Sequence, residues 1–318
     1  MSTTRLAPDD KIVLFGAAGL VGQNLALLLR EAGYRNIVGI DKHPVNAGIL
    51  RKLGTVDTVI EADMAAPGPW QDALAGAKVC VMLQAQIGGE IHAEYVANNV
   101  TSTENALDAI QRHQVPYFVH ISSSVVNSLA EDFYTETKEA QEKLVVESGL
   151  AHCILRPTLM FGWFDRKHLG WLSRFMKKIP VFPIPGSGRY LRQPLFVEDF
   201  ARIIMRCMEV QPAGDIYNIS GRERIDYIDI IRMIKQATGA SAPIVNIPYR
   251  LFWLMLKAYS LVNSNPPFTT KQLAALSIPE EFELIPWWDI FGVTPTPFAQ
   301  AVERTFKHPK YSSIVLDF

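Results

Sequence analysis

The feature that most constrains this chain is a strand-like run, Ile12-Val13-Leu14-Phe15, that empties into Gly16-Ala17-Ala18-Gly19-Leu20-Val21-Gly22 and then into the helical pattern of residues 23–30. Gly16 permits a tight turn out of the strand. Gly19 lets the backbone approach a bulky anion, and Gly22 lets the helix pack close to the sheet. The first amides of that helix, including those of Leu20 and Val21, have no partner within it, and the helix dipole adds partial positive charge there. A diphosphate is the group such a turn holds.

Short β-branched runs then alternate with helix-period segments. Strands are predicted at Lys11–Phe15, Asn36–Ile40, Val56–Ile60, Lys78–Leu83, Tyr117–Ile121 and His152–Leu155. Helices are predicted at Leu20–Ala32, Val45–Leu53, Trp70–Leu74, Glu90–His113 and Glu131–Ser148. This alternation predicts an α/β fold, a Rossmann-type doubly wound parallel sheet covered on both faces. After Arg156-Pro157 the texture changes. The stretch 161–190 is rich in Gly, Pro and aromatics, Ile216–Ile219 reads as a strand and Tyr227–Thr238 as a helix, and Pro266-Pro267 and Ile285-Pro286 break up the rest. The expected organisation is an NAD(P)-binding domain over residues 1–160 and a smaller, irregular substrate-binding lobe over 161–318. A strand and helix near 195–235 return to the first domain. With 318 residues, 48% of them hydrophobic, the chain can bury a core of that size.

Other classes of function are disfavoured. The net charge of −1, with no basic run, argues against a nucleic-acid partner. Cys80, Cys153 and Cys207 are too scattered for a disulfide framework or zinc site and read as buried, reduced thiols. The seven histidines show no ligand spacing, so no metal is expected. The polar start, MSTTRLAPDDK, runs straight into the first strand, which predicts no signal peptide and a cytoplasmic location. The apolar stretch 247–262 is interrupted by Arg250 and Lys257 and is too short to span a bilayer. It is expected to be an amphipathic helix lining a pocket or resting on another subunit, in preference to a membrane surface.

Asp41 ends the second strand about twenty residues after the last glycine of the turn. A carboxylate there accepts hydrogen bonds from both ribose hydroxyls and repels a 2′-phosphate, which favours NAD over NADP. Lys42 and His43 follow it and can offset part of that repulsion. Tyr134-Thr135-Glu136-Thr137-Lys138 places a tyrosine and a lysine one helical turn apart on one face. A free phenol, with a pKa near 10, is a poor base at neutral pH, and a nearby ammonium stabilises its ionised form. The preceding run Val119-His120-Ile121-Ser122-Ser123-Ser124 is a strand ending in hydroxyls.

The GxxGxxG spacing, the strand-end serines and the YxxxK together resemble the extended short-chain dehydrogenase/reductase family, the NAD-dependent epimerases and dehydratases. The resemblance covers residues from about 11 to 235. It implies cofactor contacts from Gly16, Gly19, Leu20, Val21, Gly22, Asp41, Lys42, Asp63, Met64, Leu83, Ala85, Asn99, Tyr134, Lys138, Pro157 and Thr158. It implies a catalytic set of Ser124, Tyr134 and Lys138, with Ser123 as the alternative serine. Ser123, Ser124 and Arg192, the last in a Gly186-to-Asp199 stretch similar to the family's glycine–arginine–HVDD segment, would touch a substrate such as a nucleotide-activated sugar. The implied chemistry is hydride transfer at a secondary alcohol or ketone, with Tyr134 exchanging the proton. A homodimer is also implied.

The sequence departs from the family pattern in three places. Gln84 replaces a small residue in Leu83-Gln84-Ala85, Val126-Asn127-Ser128 replaces the usual Val-Tyr-Gly, and only about ten residues separate Ser124 from Tyr134. The variant Arg-Gln-Pro-Leu-Phe-Val-Glu-Asp at 192–199 and the short gap also resemble the NAD(P)H-binding accessory subunit of respiratory complex I. Two alternatives to a sugar enzyme follow: an oxidoreductase of an apolar, sterol-like alcohol, and a non-catalytic cofactor-binding assembly protein.

Overall fold

The computed structural model describes residues 6–128, 132–263, 268–277 and 282–317. The first half is a strand–helix succession. It runs β1 (Lys11–Phe15), α1 (Leu20–Glu31), β2 (Ile37–Asp41), α2 (Pro44–Leu53), β3 (Thr58–Glu61), a 3-10 turn over Pro69–Leu74 and β4 (Ala77–Met82). Next come α3 (His92–Tyr95), a π-helical stretch over Val96–Thr101 and α4 (Ser102–Arg112), which follow one another without a break. Then β5 (Phe118–Ile121), a 3-10 turn over Ser124–Asn127, α5 (Phe133–Glu147) and β6 (His152–Pro157) complete this half.

These strands are parallel and are joined at one edge by a later strand, β11, in the order β11-β6-β5-β4-β1-β2-β3. The order reverses between β1 and β4. That reversal opens a crevice at the carboxyl ends of these strands, where ligands bind in open α/β sheets. A strand buried on both faces must be apolar throughout, and β1 is. Its Ile12 and Leu14 enter one core with Leu25, Leu29, Phe200 and Ile204, while Val13 and Phe15 enter the other with Trp70, Ile110 and Val145. Each such side chain contributes about 1.5–3 kcal/mol by leaving water.

The second half is built from shorter pieces. They are β7 (Met160–Phe161), α6 (Leu169–Met176), β8 (Phe182–Pro185), β9 (Leu191–Arg192), β10 (Leu195–Phe196), α7 (Val197–Val210) and β11 (Ile216–Ile219). After them come β12 (Ile225–Asp226), α8 (Tyr227–Thr238), β13 (Ile244–Ile247), α9 (Tyr249–Val262), α10 (Thr270–Ser277), α11 (Trp287–Phe291) and α12 (Phe298–Lys307). Helix α7 packs against α1 and β11 pairs with β6, so the chain returns to the sheet before leaving it again. What remains is a lobe with its own cores. One gathers Phe161, Phe196, Ile234, Phe298 and Val302, the other Met176, Phe182, Ile184, Ile231 and Ala242.

The predicted helix over 90–113 is interrupted by the π turn, and the 3-10 turn replaces the short helix predicted at 70–74. No bounds were predicted for helix α7, although Val197, Phe200, Ala201, Ile204, Cys207 and Met208 recur at helical spacing and are all buried. Glu131, the predicted start of α5, and Pro266-Pro267 lie outside the described residues.

Candidate active site

At the end of β1, Gly16 adopts φ +69, and a Cβ on it would lie 2.8 Å from the backbone nitrogen of Gln84. On Gly22 a Cβ would lie 2.5 Å from the Ala17 carbonyl oxygen. Both positions therefore exclude any side chain. The space beside Gly19 is open by contrast, with the Gly16 oxygen as the nearest atom at 3.4 Å. Gly19 caps α1 without a side-chain hydrogen bond, and no acid sits in the first turn. The helix thus presents unpartnered amides and an uncompensated dipole to a cradle, which fits a dinucleotide's diphosphate.

Asp41 closes β2 beside this turn. Its Oδ2 accepts from the Ala18 amide at 2.8 Å and its Oδ1 from the His43 amide at 2.9 Å. Each oxygen keeps a further lone pair for a ribose hydroxyl. Burial pushes this carboxyl up, and those backbone donors pull it back. Lys42 turns to Asp63, 3.6 Å away, and donates to Asn98. Its ammonium is committed there, which weakens the offset that a lysine beside Asp41 can provide. Met64 is buried in the sheet core below.

Strand β5 delivers the serines. Ser122 extends the ladder by donating to Leu155 at 2.8 Å. The next residue, Ser123, is buried, and its Oγ accepts from the Val125 amide at 3.4 Å. Ser124, the serine chosen from the sequence, opens the 3-10 turn and is half-buried. Asp132 caps α5 by accepting from the Thr135 amide at 2.8 Å, which fixes where the helix starts and so where Tyr134 sits. Burial pushes the Tyr134 phenol above its ordinary value, and the neighbouring Ser123 hydroxyl opposes that.

One turn on, Lys138 is fully buried. Its Nζ donates to the Ile121 carbonyl at 2.9 Å and to Gln141 Oε1 at 2.7 Å. Burial pulls its pKa down to about 7, with Glu142 opposing. A polar chain continues from there. Gln141 donates to Thr103 Oγ1 at 2.8 Å, and Gln84 reaches the same oxygen at 3.5 Å. Since Gln84 also backs Gly16, this chain links the glycine turn to the lysine. Gln84, the residue that departs from the family pattern, is thus part of the site's support. Thr103 and Gln141 were missed in the sequence, where a polar side chain on an inward helix face was the available signal. His120 lies fully buried on β5, held well below its ordinary value by burial and by the Lys138 charge.

Asn99 is the family-matched asparagine expected among the cofactor contacts. It sits in the π stretch with its side chain fully buried. Its Oδ1 accepts from the Gln86 amide at 2.6 Å, and its Nδ2 donates to Thr137 Oγ1 at 2.9 Å and to the Gln86 carbonyl at 3.3 Å. Both donors are spent on clamping the segment after β4 to α5. Leu83 and the exposed Ala85 lie on that clamped segment. Pro157 ends β6, and Thr158 is buried with its Oγ1 on the Gln193 carbonyl at 3.4 Å. Arg192 is buried beside them and donates to its neighbour Leu191's carbonyl at 2.8 Å and to the carbonyl of Leu276 near the end of α10. Among the described residues, no group of three His, Cys, Asp or Glu side chains could hold a metal ion.

The arrangement matches known proteins. A model of the NAD dependent epimerase/dehydratase family matches residues 12–220. An uncharacterized UDP-glucose epimerase of Bacillus subtilis (strain 168) is 23% identical over 264 residues, 73% of this chain and 83% of that protein. A 3-beta-hydroxysteroid dehydrogenase of Mycolicibacterium neoaurum is 25% identical over 270 residues, 76% of this chain and 74% of that one. The solved UDP-glucuronic acid 4-epimerase of Bacillus cereus, in complex with NAD, superposes with a TM-score of 0.74 at 21% identity, covering 93% of this chain and 97% of that chain. With the family's motifs spread over the matched residues and the fold shared along the chain, this protein belongs to the NAD dependent epimerase/dehydratase family.

Proposed function

We propose that this protein is an NAD-dependent oxidoreductase or epimerase acting at a secondary alcohol or ketone of a nucleotide-activated sugar. The observation that carries the reading is Tyr134 on α5 with Lys138 buried one turn below it and Ser123 at the end of β5, at the carboxyl edge that also presents the glycine turn. When bound, NAD supplies the hydride acceptor and donor. The amides of Leu20 and Val21 would hold its diphosphate, Asp41 its adenine-side ribose, and Pro157 and Thr158 would flank the nicotinamide.

Tyr134 moves the proton at the reacting oxygen. Burial keeps its phenol protonated at neutral pH, ready to act as an acid toward a carbonyl. Ionising it for the reverse direction needs a cation, and Lys138, one turn along α5, is the residue we assign to that role when protonated. Ser123, buried at the end of β5, or Ser124, half-buried at the opening of the 3-10 turn, would orient the substrate oxygen. Arg192, planar and permanently charged, suits a substrate diphosphate.

Tyr134→Phe is expected to lower turnover about 10²–10⁴-fold while the NAD-induced thermal shift persists. The test of substrate class is a thermal-shift panel of UDP-, dTDP- and GDP-sugars on the NAD-loaded protein. Stabilisation by one of them supports the reading; stabilisation by a sterol alone rejects the sugar and moves the same chemistry to an apolar alcohol.

A further inference from the structure

The near-zero net charge conceals a segregation. Residues 166–197 and 230–279 contain no Asp or Glu, yet hold seven and five Lys or Arg side chains. The remaining positions carry nineteen basic residues against thirty-two acidic ones. The two acid-free stretches come together in the fold. Strand β13 pairs with β8, and Met176, Phe182 and Ile184 share a core with Ile231 and Ala242. The lobe is therefore basic, and the body carrying the sheet is acidic.

Helix α9 leaves this lobe one residue after β13. Phe252 is its one buried residue among those described, and Leu256 beside it is half-buried. Leu251, Leu254 and Leu261 are 50%, 58% and 83% exposed. With Ala258 they recur at i, i+3, i+7 and i+10, a second apolar stripe on the side away from Phe252. Arg250 and Lys257, two turns apart, flank that stripe, and the Lys257 ammonium lies 5.8 Å from the centre of the Trp253 ring. An exposed leucine stripe edged by cations and aromatics, on a helix within an acid-free stretch of a net basic lobe, marks an interaction surface.

We propose that α9 and its basic surroundings dock this protein on an anionic lipid bilayer, with α9 lying flat among the headgroups. Fourteen residues of helix reach about 21 Å, short of the roughly 30 Å hydrocarbon thickness, so the helix lies on the membrane and does not cross it. The charge pattern selects this occupant. A two-fold pairing of α9 with a second copy would press two basic lobes together. A nucleic acid would use the cations but leave the leucine stripe in water. Anionic lipid uses both. The surface is independent of the cofactor site and stands whichever substrate is correct.

The full chain is to be sedimented with vesicles of phosphatidylcholine alone and of phosphatidylcholine mixed with phosphatidylglycerol. Binding is expected on the mixed vesicles only, and to weaken as salt is raised. Leu254→Glu with Leu261→Glu should reduce it about tenfold or more, with an unchanged melting temperature and NAD response. Arg250→Glu with Lys257→Glu should reduce it while removing most of its salt dependence. No binding to the mixed vesicles, equal binding by the leucine variant, tighter binding to duplex DNA, or a dimer that the leucine variant dissociates would each overturn the proposal.

Discussion

The strands of the seven-stranded sheet are bonded side by side along most of their length, whereas among the described residues two of the lobe's three sheets are two-residue pairs. The lobe is fastened instead by buried side chains reaching across the sequence. Asp199 accepts from the Thr296 amide and hydroxyl at 2.8 and 2.7 Å. Glu198 binds Arg304 at 2.6 Å, and Trp287 donates to the Ser220 carbonyl at 2.9 Å. Backbone ladders tolerate many side chains but no intrusion between elements. Side-chain anchors tolerate rearranged backbone but not the loss of one partner. The two regions should fail in different ways.

The largest effect is expected at the glycine turn. Gly22→Val sets atoms within 2.5 Å of the Ala17 carbonyl and must push α1 from the sheet, costing about 3 kcal/mol or more. Urea denaturation would show it, together with loss of the NAD-induced thermal shift. A stability within error of the parent would mean that the close approach is not needed. A smaller effect is expected in the lobe. Asp199→Ala strands the Thr296 amide and hydroxyl, costing about 1–3 kcal/mol. Hydrogen exchange should quicken over residues 294–304 and not in α1; equal quickening in both would erase the distinction drawn between the regions.

A third effect is a pH slope, which the comparison of the two regions leaves untouched. Lys138 ionises at about 7 in the folded chain, against an ordinary value of 10.5. Between those values the unfolded chain holds a proton that the folded one has released, so unfolding takes up a proton and stability rises with pH. The rise begins near pH 7 and is complete near 10.5. Lys138→Met should flatten it, as read from melting temperatures across that window relative to the parent. An unchanged slope would show that Lys138 keeps its proton when buried.

The same contrast explains what could be read in advance. Strand β1, α8 and β11 were placed residue for residue, because apolar runs of the right period bounded by glycine or polar residues leave one solution. The YxxxK pair was visible because helical spacing alone brings Tyr134 and Lys138 to one face. Ser124 was chosen over Ser123 from the sequence, a choice that depends on where β5 stops and the 3-10 turn begins. Asn99 was assigned by position, yet its side chain is consumed by Gln86 and Thr137, contacts that no local pattern encodes. Helix α9 was seen as amphipathic, but which of its faces lacks a partner depends on what packs around it.

By itself, the order of residues determined the glycine turn, the parallel α/β alternation and the tyrosine–lysine pair. These follow from steric and periodic rules acting over a few neighbouring positions. Tertiary structure decided where Ser123 and Ser124 stand at the end of β5, how deeply Lys138 is buried and hence when it titrates, and how two acid-free stretches distant in sequence come together. Those properties depend on distances between residues far apart in the chain, and a distance across a fold is set by packing of the whole core.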